Sequence, residues 1–275
     1  MGTPVDQQIG TMVPKITLTS DIEVRLIQAM GGDHMVVAAA KVSTCGDDAL
    51  RWALEEFRDD NFGLINFLMK HRHGTPFEHG SVTVFTRCPI FVYREWHRHR
   101  VGFSYNEESA RYKPLEPVFW VPRRDRPMIP VEGWKPGRPK FRTLDEATAD
   151  YFLERPNPGC GYKKWADSWY RREIDRDRES YEVAYRNYLG SIQDGFALEV
   201  ARSKLPVAIY SSCWVTCNPR SLMAFLSLRT HDESATYVSY PQLEIEEAAR
   251  MTEDILKEHW PLTHKAFVQN GRVGP

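Results

Sequence analysis

The spacing of apolar residues along the chain predicts a mixture of strands and helices. Alternating or β-branched residues predict strands over residues 23–30, 81–85 and 208–216. Apolar residues that recur every three or four positions predict helices. In chain order these are 35–42 (with Asp33 as N-cap), 48–58, 61–71, 90–98 (behind Pro89), 144–153, 164–193, 196–205, 218–229, 242–258 and 261–269.

This pattern predicts an α/β (α+β) fold: a single domain with a modest central sheet flanked by many helices. Residues 1–20 show little periodicity and are expected to form an N-terminal arm, with one domain over 21–275. Residues 113–162 are rich in proline and carry short charge runs, so we expect an irregular excursion around helix 144–153.

Composition narrows the class of protein. The formal net charge of -1 argues against a general nucleic-acid binder. No apolar run is long enough for a membrane span, and the N-terminal residues lack the pattern of a secretory signal. Five cysteines are few and odd in number, which argues against a disulfide framework. We therefore expect a cytoplasmic enzyme.

The densest chemistry lies between Arg94 and Tyr112. Five basic side chains occur within seven residues in REWHRHR, and such density calls for an anion, for which phosphate is suited by the bidentate binding of guanidinium groups. The polar run GFSYNEESARY predicts a loop that closes over a polar, planar ligand. A solvated charged face is the alternative, which the interleaved Trp96 and Phe103 make less favourable.

A second polar cluster, HRHGTPFEH, contains His71, His73, Thr75, Glu78 and His79. Gly74 and Pro76 predict a tight turn that projects Thr75. Histidines with a nearby glutamate are compatible with a metal site. The neighbouring arginines would repel a cation, so we expect no metal there.

A third segment, CNPRSLMAFLSLR, predicts a helix that Asn218 caps and Pro219 opens. Its N-terminal amides and Arg220 suit a phosphate or a carbonyl oxygen. Arg229 lies on the same side as Leu222 and Phe225, so an arginine that caps a buried face remains the alternative. Cys213 and Cys217 lack a second pair, and we interpret them as packing residues rather than metal ligands.

Taken together, these segments resemble the flavin-dependent thymidylate synthases. The RHR triplet at 98–100, followed at a set distance by Ser109, is similar to that family's signature. The resemblance covers roughly residues 22–112 and 196–268. The segments that carry it, in order, are LMKHRHGTPFEH, PIFVYREWHRHR, SYNEESARY, EVAR followed by LP, and CNPRSLMAFLSLR.

The resemblance implies the flavin-dependent thymidylate synthase fold, a homotetramer, and FAD in sites shared between subunits. It implies C5-methylation of dUMP to dTMP with methylenetetrahydrofolate as carbon donor and NADPH as reductant of FAD, and Arg229 as the catalytic residue that stabilises ionised uracil. The residues implied to bind FAD are His73, Thr75, Arg98, His99, Arg100, Glu107, Asn218 and Arg220. Those implied to bind the nucleotide are Glu95, Trp96, His97, Arg98, Glu107, Glu108, Ser109, Ala110, Arg111, Arg202 and Arg229.

The chain departs from the family pattern at four places. Eight residues rather than seven separate the RHR triplet from Ser109, and Ala224 replaces a common asparagine. Tyr240, beside an apparent insertion, replaces a common histidine, and Glu95 replaces a common glutamine. These changes support an alternative reaction, the methylation of UMP or of both nucleotides in a nucleoside-antibiotic pathway. A catalytically silent nucleotide-binding homologue and a histidine-based metal hydrolase are further alternatives.

Overall fold

The computed structural model describes residues 15–55, 61–133, 135, 137–153 and 161–275. The strands are β1 Thr17–Thr19, β2 Glu23–Met30, β3 Ser81–Pro89, β4 Phe103–Glu107, β5 Val118–Trp120, β6 Ile129–Pro130, β7 Phe141–Arg142 and β8 Tyr210–Cys217. The helices are α1 Asp33–Cys45, α2 Asp48–Glu55, α3 Phe62–Lys70, α4 Ile90–Trp96, α5 Leu144–Leu153, α6 Tyr162–Gln193, α7 Leu198–Ala201, α8 Pro219–Arg229, α9 Leu243–His259 and α10 Pro261–Gln269. The predicted mixed α/β class is confirmed.

The chain folds into two compact units. Among the described residues, the first unit contains those up to Asp21 together with those within Ser109–Tyr210, and the second contains those within Ile22–Glu108 and Ser211–Pro275. Most of the predicted arm, residues 1–14, and the end of the predicted helix 48–58 lie outside the described residues. No helix among the described residues is long and apolar enough to cross a membrane.

The second unit is built on a four-stranded sheet in the order β2-β3-β8-β4. Buried and partly exposed residues alternate along β3, as its β-branched sequence predicts, so one face of this strand lies in the core. The core combines this face with large side chains from the helices, including the fully buried Trp96, Phe225 and Trp260. The predicted modest sheet is therefore present, and strand β3 continues beyond the predicted residue 85 to Pro89.

Two local predictions in this unit need correction. The polar run that was expected to be a loop contains strand β4, which pairs antiparallel with β8 from Phe103 opposite Cys217 to Glu107 opposite Cys213. Asp33 is not an N-cap but the first residue of α1. Its carboxylate instead accepts hydrogen bonds from the backbone amides of Leu262 (2.7 Å) and Thr263 (2.9 Å), and so caps α10.

The first unit organises the proline-rich excursion around the long helix α6. Phe119 of β5 is fully buried and stacks on Tyr181, with 4.8 Å between ring centroids. The hydroxyl of Tyr185 donates to the backbone carbonyl of Leu115 at 3.0 Å. Strand β1 pairs parallel with β5, so residues 17–19 of the predicted arm form part of this unit. The excursion therefore packs on a row of tyrosines from α6.

Candidate functional site

The RHR triplet lies in a turn between helix α4 and strand β4. The amide of His97 donates to the carbonyl of Tyr93 (2.8 Å), and that of His99 donates to the carbonyl of Trp96 (2.9 Å), so the chain leaves the helix in a tight turn. The hydroxyl of Tyr105 donates to the carbonyls of Trp96 (3.0 Å) and His99 (2.6 Å). Strand β4 therefore fixes the turn through the side chain of Tyr105, a residue that was predicted to lie in a loop.

Helix α8 brings Arg229 to this turn. Its Nη1 lies 2.5 Å from Oε2 of Glu95, and its Nε donates to Nε2 of His99 at 3.1 Å. Nη2 also donates to the backbone carbonyl of Glu95 at 3.3 Å. The side chains of Arg229 and Glu95 are 17% and 25% exposed, so the pair is largely withdrawn from water but still reachable. The structure therefore joins Arg229, His99 and Glu95 into one cluster.

Burial controls the electrostatics of the cluster. It raises the pKa of Glu95, with Arg229 and Arg98 acting in the opposite direction and Glu244 reinforcing it. Burial also lowers the pKa of Arg229, which Glu95 counteracts and Arg98 lowers further. A guanidinium does not lose its proton in proteins, so Arg229 remains a cation. The result is a positive charge with an incompletely hydrated environment, in which its field acts more strongly than in water.

His99 is neutral in this environment. Burial lowers its pKa to about 4, and the positive charges of Arg229 and Arg98 lower it further in the same direction. Its ring packs edge-on to Phe225, with centroids 4.9 Å apart. A neutral ring can accept the hydrogen bond from Arg229 at Nε2, so the protonation state agrees with the geometry.

A second part of the site is a cleft of about 580 Å³ on another side of α8. The side chain of Asn218 accepts a hydrogen bond from the amide of Ser221 (2.8 Å), which confirms the predicted cap. Arg220 donates from Nη1 to Glu78 (2.5 Å) and from Nε to the carbonyl of Pro275 (2.9 Å). The cleft is lined by Glu78, Val101, Gly102, Asn218, Arg220, Ser221, Ala224, Ser227, Gly274 and Pro275.

Two glycines shape the approaches to the cleft. A Cβ on Gly74 would lie 2.4 Å from the guanidinium carbon of Arg220, and one on Gly102 would lie 2.1 Å from the hydroxyl of Ser221. Gly102 also has φ +69°, a left-handed conformation that favours glycine. The HRHGTPFEH segment and the RHR turn therefore both approach α8 closely, the first at the guanidinium of Arg220 and the second at the hydroxyl of Ser221.

The remaining candidates of the second unit lie near these two parts. His73 and Thr75 are exposed, and Thr75 opens the short 3₁₀ turn Thr75–Glu78 that carries Glu78 to Arg220. Arg98, Arg100 and Glu107 are exposed, whereas His97 is half-buried and Trp96 is fully buried. Trp96 stacks on Phe225 at 5.1 Å and its side chain belongs to the core, so its role in binding a nucleotide stays a prediction.

Other nucleotide-binding candidates lie in the first unit. Ser109 accepts a hydrogen bond at Oγ from the amide of Arg111 (3.3 Å), and Arg111 pairs with Glu199 at 2.9 Å. Ala110 is buried, and Arg202 is exposed at the start of a 3₁₀ turn after α7. One further candidate, Glu108, belongs to the second unit and donates its amide to the carbonyl of Ser212 at 2.8 Å. The role of these residues in binding a nucleotide remains a prediction.

The cysteines and histidines that the structure describes do not form a metal centre. No group of three or more His, Cys, Asp or Glu side chains there is placed to hold a metal ion. Cys213 and Cys217 are both buried in β8, and burial raises the pKa of Cys213 to about 11. They are packing residues in the sheet, as interpreted from the sequence.

Comparison with known proteins decides the family. The family model described as thymidylate synthase complementing protein matches residues 25–262. The chain belongs to this family. The flavin-dependent thymidylate synthases of Streptomyces coelicolor and Streptomyces avermitilis are 44% and 43% identical to it. The first alignment covers 95% of this chain and 97% of the relative, and the second covers 95% and 96%. The predicted resemblance is thereby confirmed.

Solved structures show the same relationship for this member of the thymidylate synthase complementing protein family. The UMP/dUMP methylase PolB from Streptomyces cacaoi, bound with 5-Br dUMP, superposes with a TM-score of 0.78 at 39% identity. That comparison covers 94% of this chain and 100% of PolB. PolB bound with 5-Br UMP gives a TM-score of 0.76 at the same identity, over 95% of this chain and 100% of PolB.

Sequence reasoning did not identify every residue of the two parts. It named Glu78 only in a metal cluster, whereas the structure pairs Glu78 with Arg220. It gave no role to Ser221, Ser227 or Gly102, which line the cleft. A single glycine or serine, such as Gly102 or Ser221, forms no recognisable sequence motif. Their importance becomes visible only in the folded chain, where the RHR turn approaches α8.

Proposed function

We propose that this protein catalyses the flavin-dependent reductive C5-methylation of a uridine monophosphate, with dUMP as substrate and dTMP as product. FAD is the proposed cofactor, and methylenetetrahydrofolate and NADPH are the proposed carbon donor and reductant. Family membership and the similarity to flavin-dependent thymidylate synthases over nearly the whole chain support this class of reaction. A cytoplasmic location of the protein remains a prediction.

The observation that carries the proposal is the cluster of Arg229, Glu95 and His99. Uracil is a poor carbon nucleophile, and its C5 gains electron density when negative charge develops at N3 and O2. A protonated guanidinium in a partly desolvated position stabilises such charge more strongly than water does. His99, neutral and fixed on Phe225, orients Nε of Arg229 and adds no competing positive charge. Arg229 is thus built to activate the ring.

The second cleft fits a flavin nucleotide by its chemistry. Asn218, Arg220 and Ser221 offer polar groups for a phosphate or a ring carbonyl, and Val101 and Ala224 offer apolar surface for a flat ring. The missing side chain at Gly102 keeps the RHR turn close to Ser221. When bound, reduced flavin supplies the hydride that completes the methyl group. The role of the chain is to hold it beside α8.

Arginines provide the proposed phosphate contacts. Arg98 and Arg100 are exposed on the RHR turn, and Arg202 is exposed after α7. Guanidinium groups bind phosphate oxygens bidentately, which would fix the ring geometrically as well as bind it. The resemblance to the flavin-dependent thymidylate synthases implies sites that are shared between subunits. We therefore extend the proposal to a homotetramer with shared sites.

The similarity to PolB supports a second candidate function, methylation of UMP or of both nucleotides. Glu95 gives this candidate a structural basis, because a carboxylate beside Arg229 can accept a hydrogen bond from an additional hydroxyl. Substrate choice then depends on whether the site leaves room and a partner for the ribose 2′-hydroxyl.

One experiment tests both candidates. Purified protein is supplied with FAD, NADPH and methylenetetrahydrofolate, and tritium release is measured from 5-tritiated dUMP and UMP. Release from dUMP supports the leading proposal, and turnover of dUMP alone removes the second candidate. The visible spectrum is the control, because a protein that stays colourless and takes up no added FAD contradicts the entire class of reaction.

A further inference from the structure

Arg272 is a buried cation outside the proposed site. It is 5% exposed, although it lies close to the end of the chain's described residues. Its φ of 57° is left-handed, a conformation that a side chain other than glycine adopts only at a cost in free energy. Gly271 before it has φ 70°, and the amide of Arg272 donates to the carbonyl of Phe267 at 2.9 Å. The fold therefore forces this arginine back into the core.

The guanidinium of Arg272 forms an ion pair with the carboxylate of Glu253 on helix α9. Its two terminal nitrogens lie 2.8 Å from the two oxygens of Glu253, a planar two-point pairing. His264 of α10 adds a contact of 3.0 Å to the same carboxylate. Burial alone would raise the pKa of Glu253, but the bonds from His264 and Arg272 overcome it and lower that pKa to about 2. Arg272 is thus fixed in position and charge.

From this anchor, Arg272 reaches the end of helix α8. Its Nη2 donates to Oγ1 of Thr230 at 2.8 Å, and its carbonyl accepts from Oγ of Ser227 at 2.7 Å. Thr230 is the C-cap of α8 and follows Arg229 directly. The neighbouring carbonyl of Gly271 accepts from the amide of Thr236 at 2.9 Å. The last turn of α8 and the loop after it are therefore tied to one buried arginine.

We propose that Arg272 is a positioning residue that sets the last turn of α8 and, through Thr230, the place of the Arg229 guanidinium. A guanidinium must lie within a fraction of an ångström of its productive position to act on a developing charge. A short helix end without this tie would fray and let Arg229 leave His99. The consequence for turnover rests on the proposed function, whereas the consequence for the position of Arg229 does not.

The test removes the hydrogen bond between Arg272 and Thr230 and keeps the buried ion pair between Arg272 and Glu253. Thr230→Val keeps the shape of the side chain and leaves Arg272 paired with Glu253. Thr148→Val is the matched control, because Thr148 is also buried and its hydroxyl donates to a carbonyl four residues earlier, as that of Thr230 does. Thr148 lies on α5 and its hydroxyl bonds within that helix, so the control removes the same kind of hydrogen bond at a different helix.

The primary readout is the pKa of His99, measured by NMR on labelled histidine and assigned with His99→Gln. The groups that face this ring are Arg229, Arg98, Phe103 and Phe225. In wild-type protein and in Thr148→Val we expect the pKa near 4. In Thr230→Val we expect a measurable but partial rise, because burial of the ring, the largest cause of the low pKa, remains when Arg229 moves away. The same pKa in all three proteins overturns the proposal, whether or not the enzyme turns over.

Turnover is the second readout. Thr230→Val is expected to lose roughly tenfold in kcat, with little change in KM for dUMP, because ring activation suffers more than phosphate binding. Arg272→Lys keeps the charge but loses the two-point pairing. Like Thr230→Val, it is expected to lower kcat and to raise the pKa of His99. If wild-type protein releases no tritium, the proposed function fails, and the His99 titration alone still decides the position of Arg229.

Discussion

Arg229 and Glu95 lie 134 positions apart in the chain and form an ion pair with 2.5 Å between Nη1 and Oε2. Within the chain the proposed activator is therefore engaged by a carboxylate. A nucleotide that uses Arg229 has to share this guanidinium with Glu95 or displace the carboxylate. The free energy of the pair is subtracted from the affinity for the nucleotide.

The substitution Glu95→Gln tests this competition. Glutamine keeps an oxygen acceptor for Arg229 but removes the negative charge. We expect dUMP to bind about fivefold more tightly, which corresponds to about 1 kcal/mol for a partly exposed ion pair. Calorimetric titration measures the change, and Glu173→Gln, which removes the partner of Arg176 on α6, is the control. Weaker binding by the Glu95 variant contradicts competition.

Arg229→Ala tests the role of the cation itself. Turnover is expected to fall at least about 100-fold, the size of effect seen when one stabilising donor is lost from a developing charge. Uptake of FAD is expected to be unchanged, because Arg229 does not line the cleft beside Arg220. Tritium release and flavin absorbance measure the two effects. Wild-type turnover in this variant removes Arg229 from the mechanism.

His99 predicts a specific pH dependence of stability. The unfolded chain takes up this proton near pH 6.5, whereas the folded chain takes it up only near pH 4. Between these values the unfolded state binds more protons, so the free energy of unfolding falls as the pH is lowered. The contribution is about 2 kcal/mol after allowance for partial solvent exposure.

Denaturant unfolding at several pH values measures this contribution. In His99→Gln the fall in stability between pH 6.5 and pH 4 is expected to be smaller than in wild-type protein by that amount. Equal pH profiles for the two proteins mean that His99 titrates normally in the folded state, contrary to its contact with Arg229.

Gly102→Ala separates backbone strain from a steric clash. Left-handed backbone costs a non-glycine residue about 1–2 kcal/mol. Gly195 has φ +85° and open space around a would-be Cβ, so Gly195→Ala reports that strain alone. Gly102→Ala adds a collision with the hydroxyl of Ser221, and we expect a larger loss of stability together with weaker FAD uptake. Thermal unfolding and flavin titration of both variants measure the difference, and equal effects contradict the close approach.

Asp33→Ala tests the cap that joins α1 to α10. Loss of a capping carboxylate typically costs 1–2 kcal/mol, and here the carboxylate is buried and accepts two backbone amides. Asp48 is also the first residue of a helix, but it is exposed and its distance to Arg51 is 3.6 Å. Asp48→Ala is therefore expected to change the unfolding free energy by less than about 0.5 kcal/mol. Equal losses contradict a structural role for the Asp33 cap.

Local features were accessible from the sequence because their causes are local. The cap at Asn218 and the proline after it determine where α8 begins, and the structure has both. Strand β4 was missed although Phe103 and Tyr105 alternate with polar residues, because the density of polar groups suggested a loop. As an edge strand it needs only one apolar face, and a count of polar residues cannot detect that.

Long-range relationships were not accessible in the same way. The contact of Asp33 with Thr263 spans 230 positions, and that of Arg229 with Glu95 spans 134. Neither depends on periodicity, because each is created by two elements that meet only after folding. The resemblance to a family named Glu95 and Arg229 as site residues, but it gave no reason to pair them.

Helix α8 presents Arg220 and Arg229 in opposite directions. Nine residues at 100° each amount to two and a half turns, so the first arginine faces the cleft and the second faces the RHR turn. The helix thus separates the cleft, which Ala224 and Ser227 line, from the hydrophobic core, which contains Leu222 and Phe225. Ser227 and Thr230 both hydrogen-bond to Arg272, so the free energies of substitutions at these two positions should not simply add. The cleft side of α8 and its last turn are therefore coupled through one buried side chain.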